Sequence, residues 1–92
     1  MKVEKFVVKA CCGKTSTAFR INKTLSKDFL ALLVTKGFTE LKHFTAAGIL
    51  FVENQTLQIN GPFGTDILNI RCKVSDCNKF INDFETLLTS ME

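Results

Sequence analysis

The chain contains no tryptophan, no tyrosine and a single proline, and all nine of its aromatic residues are phenylalanine. Binding surfaces in contact with water usually use aromatic rings that carry a polar group, so this composition gives no sign of an aromatic-rich recognition site. No apolar run reaches the length of a membrane span, and lysine and glutamate interrupt the N-terminal segment MKVEKFVVKA, which does not fit a signal peptide. We therefore expect a cytoplasmic protein that contacts no membrane.

Groups that carry out catalysis are also scarce. His43 is the only histidine, and no acidic residue stands at a spacing that would orient it as a general base. The tripeptide GKT at 13–15 resembles part of a phosphate-binding loop, but Val8 occupies the position where that loop needs its first glycine. We expect no catalytic residue, no enzymatic activity, no cofactor and no small-molecule substrate.

The four cysteines permit three interpretations. A reducing cytoplasm favours thiols over disulfides, and Cys12, Cys72 and Cys77 fall on faces predicted to point inward, where cysteine behaves as a small apolar side chain. Zinc binding is an alternative because four thiolates can hold Zn²⁺ tetrahedrally, although Cys11 and Cys12 are adjacent and no paired CxxC motif occurs. A redox pair is the third. We predict buried thiols and no metal ligands.

Charge is unevenly distributed along a chain of 92 residues whose formal net charge is +3. Residues 1–36 hold seven lysines and one arginine against two acidic residues, whereas residues 75–92 hold one lysine against four acidic residues. A chain of this length forms one hydrophobic core, so we predict a single domain over residues 1–92. The basic N-terminal part suits a polyanionic partner, but the same charges could serve only solubility.

Two segments show the periodicity of amphipathic helices. In the first, Ser26 is a good N-cap and Gly37 can adopt the left-handed conformation that ends a helix. The apolar arc between them is wide enough to require packing against a sheet. The second helix is expected to begin after Ser75 or Asp76, and its apolar stripe consists of Cys77, Phe80, Ile81, Phe84 and Leu88.

Alternating apolar and polar residues predict strands over 3–12, 17–22, 39–45, 49–53 and 65–73, with one more beginning after a turn at Asn54-Gln55. A GKTS turn would place Ala10 opposite Phe19 and Val8 opposite Ile21. The Asn54-Gln55 turn would place Val52 opposite Leu57 and Leu50 opposite Ile59. The tetrapeptide GPFG at 61–64 predicts a further turn.

The order strand, strand, helix occurs twice, in residues 3–37 and 55–90, with residues 39–53 inserted between the two units. We therefore predict a two-layer α+β fold with a mostly antiparallel sheet of five or six strands and two helices on one face. The two units would form a ββα internal repeat.

The predicted outer face of the sheet carries both candidate sites. Cations beside amides suit phosphates and base edges, which predicts contact with DNA or RNA through Lys5, Lys9, Lys14, Arg20, Asn69 and Arg71. Apolar residues on the same face predict instead a protein interface or a homodimer through Val7, Ile49, Phe51 and Ile67. The hypothesis is a small non-enzymatic binding or regulatory domain, with nucleic acid as partner, a protein or second copy as the alternative, and a cysteine-based zinc protein as the second alternative.

Overall fold

The computed structural model describes residues 1–9 and 15–91, with the backbone alone at Lys9 and Thr15. The elements in chain order are β1 (Val3–Lys9), β2 (Thr15–Ile21), α1 (Lys27–Thr35), β3 (Thr39–Glu40), α2 (Lys42–Ala46), β4 (Ile49–Glu53), β5 (Leu57–Pro62), β6 (Ile67–Cys72) and α3 (Asn78–Ser90). The strands form one sheet in the order β1-β2-β6-β5-β4-β3, and every neighbouring pair is antiparallel.

Helices α1 and α3 cover the same side of this sheet. The Phe84 ring of α3 lies 5.8 Å from that of Phe19 on β2 and 5.6 Å from that of Phe38 after α1, measured between ring centroids. One apolar cluster joins both helices to alternate sheet residues, which include Phe19, Leu50, Val52, Leu57, Ile59 and Leu68. The predicted α+β fold, with two helices on one face of an antiparallel sheet, is therefore confirmed.

The chain contains two strand-strand-helix units in this architecture. β1, β2 and α1 form the first, and β5, β6 and α3 form the second. The second strands of the two units, β2 and β6, are neighbours in the sheet, and Phe19 stands opposite Leu68. The segment β3-α2-β4 lies between the units in sequence and extends the sheet beyond β5.

The predicted register of β1 against β2 is wrong. Lys5 stands opposite Phe19 and Val3 opposite Ile21, so the pairing is displaced by five residues from the prediction. An odd displacement exchanges the two faces of a strand. Lys5 and Val7 therefore lie on the side of the helices, and Phe6 and Val8 lie on the opposite side.

The register of β4 against β5 also differs from the prediction, but by two residues. Val52 pairs with Ile59 and Leu50 with Gly61. The Asn54 carboxamide oxygen accepts hydrogen bonds from the amides of Thr56 and Leu57, at 2.9 and 2.8 Å, which makes the connection longer than a two-residue turn. An even displacement keeps every side chain on its predicted face, so the core is unaffected.

Residues 39–45 do not form the predicted strand. β3 has two residues, and a short helix, α2, follows it. The Phe44 ring stacks on the Phe51 ring of β4 with centroids 4.5 Å apart, and the Thr45 hydroxyl donates to the Glu40 carboxylate at 2.8 Å. Phe44 is thus packed against β4 by a helical turn, which the irregular pattern of this segment did not reveal.

The helix ends confirm one predicted cap and correct the other. The Ser26 hydroxyl accepts a hydrogen bond from the Phe29 amide at 3.3 Å, as an N-cap does. Cys77, rather than Ser75 or Asp76, is the N-cap residue of α3 and makes no side-chain capping bond. The Asp76 carboxylate instead accepts from the Asn78 amide at 3.1 Å.

Cys72 and Cys77 form a disulfide, so the predicted free thiols at these positions are wrong. Residues 73–76 fold back between β6 and α3 and bring the two Cα atoms to 5.9 Å, within the range that a disulfide requires. Cys11 and Cys12 lie outside the described residues. In the described part of the chain, none of the helices is both long enough and apolar enough to cross a membrane.

Candidate interaction surface

The side of the sheet opposite α1 and α3 is called here the open face. Its centre is a row of residues that stand opposite one another on five successive strands. The row runs from β1 to β4 through Phe6, Ala18, Asn69, Asn60 and Phe51. Two asparagines therefore occupy the middle of the face, and an aromatic ring stands at each end.

Each aromatic ring is the centre of an apolar patch. The guanidinium carbon of Arg20 lies 5.9 Å from the centroid of the Phe6 ring, in cation–π range, and Val8 is beside Phe6 on the same face. At the other end, the Phe44 ring covers Phe51, and the His43 ring is 4.3 Å from Phe44. Neither Phe6 nor Phe51 is an unobstructed platform on which a base could stack.

Two cations at the open face are paired with carboxylates, whereas Arg71 makes no ion pair with a described residue. Arg20 faces Asp66, with nitrogen and oxygen 3.9 Å apart, and Lys73 faces Glu53 at 3.4 Å. The Gln58 carboxamide donates to Glu53 at 3.0 Å. This hydrogen bond, together with the contact to Lys73, lowers the pKa of Glu53 below its ordinary value of 4.5, so its carboxylate is ionised at neutral pH.

The predicted basic cluster is only partly assembled. Arg20, Asn69 and Arg71 share the open face, as expected. The predicted position of Lys5 is wrong: its ammonium group lies on the helix side, 3.4 Å from the Asn82 carboxamide oxygen and 3.8 Å from the Glu85 carboxylate of α3. Lys14 and the side chain of Lys9 lie outside the described residues, so their predicted role stays a prediction.

The predicted apolar strip is mostly assembled, with one replacement. Ile49, Phe51 and Ile67 share the open face and are partly exposed. Val7 does not join them, because the register of β1 turns it toward α3, where it is 66% exposed. Phe6 and Val8 take its place.

Phe6, Val8 and Phe44 were therefore missed as surface residues. The sequence allowed Phe6 and Val8 to be surface residues, because both faces of β1 carry apolar residues. The pattern alone excludes neither the predicted nor the observed register of β1 against β2. For Phe44, the alternation in residues 39–45 predicted a strand, and a helix of five residues is too short to show a helical pattern.

The structure also bears on the metal and thiol hypotheses. Within residues 1–9 and 15–91, no three side chains of histidine, cysteine, aspartate or glutamate converge as metal ligands do. Two of the four sulfurs are bonded to each other, which removes them from the thiolate set that a four-cysteine zinc site would need. His43 contacts the Phe44 ring.

Comparison with known proteins gives no relative on which to base a function, since no family model, no curated protein and no solved structure matches the chain. A function must therefore be inferred from the open face alone.

Proposed function

We propose that this chain is a non-enzymatic binding domain and that its partner is a protein that docks on the open face. The observation that carries the proposal is the arrangement of that face: two partly exposed apolar patches, around Phe6 and Phe51, flank the polar centre formed by Asn60 and Asn69. Protein interfaces combine apolar contacts with a limited number of hydrogen bonds in this way.

The charge pattern favours a protein over a polyanion. Two of the described cations on this face, Arg20 and Lys73, already face carboxylates. A surface that binds nucleic acid through phosphates needs cations that are free to replace counterions. The partner should present apolar side chains to the two patches and backbone or amide groups to the asparagines between them.

Site-specific photocrosslinking tests this proposal. A photoreactive phenylalanine analogue at position 69 is at the centre of the open face, and the same analogue at position 79 is on α3, away from it; both native side chains are exposed. We expect adducts with a discrete protein from position 69 and none from position 79. The adduct should resist nuclease treatment and should be lost when Phe51→Glu is introduced. Equal yields from both positions would overturn the proposal.

Nucleic acid is the second candidate, and a separate observation favours it. Asn60, Asn69 and Arg71 line a cleft of about 730 Å³ that reaches the N-terminal end of α3 and that Asp76 also lines. Amide and guanidinium groups there could contact base edges and phosphate.

A matched pair of charge reversals tests the second candidate. Arg71→Glu and Lys79→Glu change the net charge equally, but only the first alters the open face. If nucleic acid binds there, affinity for a labelled oligonucleotide at low salt should fall with Arg71→Glu alone, and wild-type affinity should fall steeply as salt is added. Equal loss in both variants would indicate nonspecific attraction and would remove this candidate.

A further inference from the structure

The two edges of the sheet differ in a way that points to a second binding surface. β3 forms one edge with two residues and is followed at once by α2, whereas β1 forms the other edge with seven residues. Short strands protect a sheet edge from pairing with another chain, and long ones expose a row of unpaired backbone groups. In the described part of the chain, β1 pairs only with β2.

The hydrogen bonds identify which backbone groups of β1 point outward. The Asn22 amide donates to the Lys2 carbonyl oxygen at 3.2 Å, so the pair of residues 2 and 22 is a hydrogen-bonded pair of the β1-β2 ladder. Such pairs alternate along antiparallel strands, so Glu4, Phe6 and Val8 also bond to β2. The amide and carbonyl groups of Lys5 and Val7 consequently face away from the sheet.

The side chains of β1 are unusually exposed for an apolar strand. Five large apolar side chains are exposed in the described residues, and two of them, Val7 at 66% and Val8 at 37%, are consecutive on this strand. Val7 borders a groove of about 440 Å³ between β1 and α3, whose other apolar wall is Ile81. An added strand would cover both valines, one on each face.

A second copy of the chain fits this edge because one antiparallel register pairs all seven residues of β1 without opposing like charges. If two copies pair antiparallel with their open faces on the same side, one residue of β1 must stand opposite the same residue of the other copy. Each possible register is named here by that central residue. Centring on Phe6 places Lys5 opposite Val7 and Glu4 opposite Val8 of the other copy, with no like charges opposed. Centring on Lys5 opposes two Lys5 side chains, and centring on Val7 opposes Lys5 and the lysine at position 9, both of which are unfavourable.

We propose that two copies of this chain form a twofold dimer by antiparallel pairing of β1 with β1 in the register centred on Phe6. The outward amides and carbonyls of Lys5 and Val7 then bond to those of Val7 and Lys5 in the second copy. The two sheets become one continuous sheet, and the two open faces lie side by side. The dimer does not depend on the proposed partner of the open face.

Mass in solution and amide exchange test the dimer together. We expect sedimentation equilibrium to show a mass rising with concentration from 10.3 kDa to twice that value. Over the same range, hydrogen exchange followed by NMR should slow at the amides of Lys5 and Val7, while Phe6 and Val8, already bonded to β2, should not change. A chain that stays monomeric at millimolar concentration, or a dimer whose Lys5 and Val7 amides are not protected, would overturn the proposal.

A pair of valine variants adds a matched control. Val7→Lys places a lysine opposite Lys5 of the second copy, and the twofold axis repeats this repulsion, so the dimer dissociation constant should rise by roughly tenfold or more. Val74→Lys adds the same charge at a valine that is 40% exposed and lies outside β1, and it should leave the constant unchanged. The exchange measurement uses the wild-type chain and stands even if Val7→Lys fails to fold. Photocrosslinking from position 69 tests the proposed partner of the open face, and its outcome is independent of these dimer measurements.

Discussion

At some positions on the buried side of the sheet, the space available limits the size of the side chain, and Gly61 is the clearest case. The GPFG sequence predicts a turn beginning at this residue, but β5 continues through Pro62 and places Gly61 opposite Leu50. A Cβ atom here would overlap the carbonyl oxygen of Ile67 and would lie 2.7 Å from Cδ1 of Leu25. Glycine is therefore needed at position 61 because the backbone at the start of β6 and the Leu25 side chain leave no room for a Cβ atom.

Gly61→Ala should destabilise the protein by about 1–3 kcal/mol, the usual cost of forcing extra volume into a packed core. The measurement is urea unfolding, with Gly48→Asn as the control. Gly48 also has a special conformation, with φ of 85°, but a Cβ atom at this position would meet nothing within 4 Å, and asparagine tolerates positive φ. The control should lose less stability than Gly61→Ala does, because it adds no overlap. A Gly61→Ala variant as stable as the wild type would contradict this prediction, because it would show that the backbone at Ile67 and the Leu25 side chain both make room for the added methyl group.

At the scale of elements, the buried faces of the central strands were predictable, and those of the edge strand β1 were not. Leu68 and Ile70 on β6 alternate with polar residues, so only one face could be buried. β1 carries apolar residues on both faces, and the pattern could not decide between them. The observed register places Lys5 on the helix side, which is acceptable at an edge because the side chain reaches Asn82 and Glu85 of α3. The basic part of the candidate site was mispredicted for this reason.

The Cys72–Cys77 disulfide ties the end of β6 to the start of α3, where Cys77 provides no side-chain capping bond and the Asp76 carboxylate accepts from the Asn78 amide. Free thiols were expected at these positions because of the compartment and the predicted inward-facing positions, whereas a turn over four residues is enough to bring the two cysteines together. The disulfide closes a short loop, and closure of a loop of this size stabilises a fold by roughly 2 kcal/mol through the unfolded state.

Reduction of the purified chain with dithiothreitol should therefore lower the free energy of unfolding by roughly 2 kcal/mol. The comparison is denaturant unfolding of the oxidised and the reduced protein, with alkylation and mass spectrometry to count free thiols. The control is the double variant Cys72→Ala/Cys77→Ala, whose stability should not respond to the reductant. A response of equal size in that variant would assign the effect to other groups.

On the scale of the whole molecule, the two strand-strand-helix units share one core and should unfold together. Phe84 of the second unit packs against Phe19 of the first, and Leu33 of α1 and Leu88 of α3 belong to the same buried cluster. Neither helix has a separate core of its own. The two units thus repeat the order of strands and helix but are not separate domains. The complete sheet unfolds together with both helices.

Leu33→Ala in the first unit and Leu88→Ala in the second should each lower the stability of one common transition by about 2–5 kcal/mol, since both side chains are fully buried. Leu32→Ala is the matched control: it removes the same atoms one position earlier in α1, where the side chain is 38% exposed, and should cost less than about 1 kcal/mol. Unfolding is followed by circular dichroism and by NMR signals from each unit, which should coincide in every variant. If Leu88→Ala shifted only the signals of β5, β6 and α3, the units would be separate folding domains, and the common core would not be what holds the open face together.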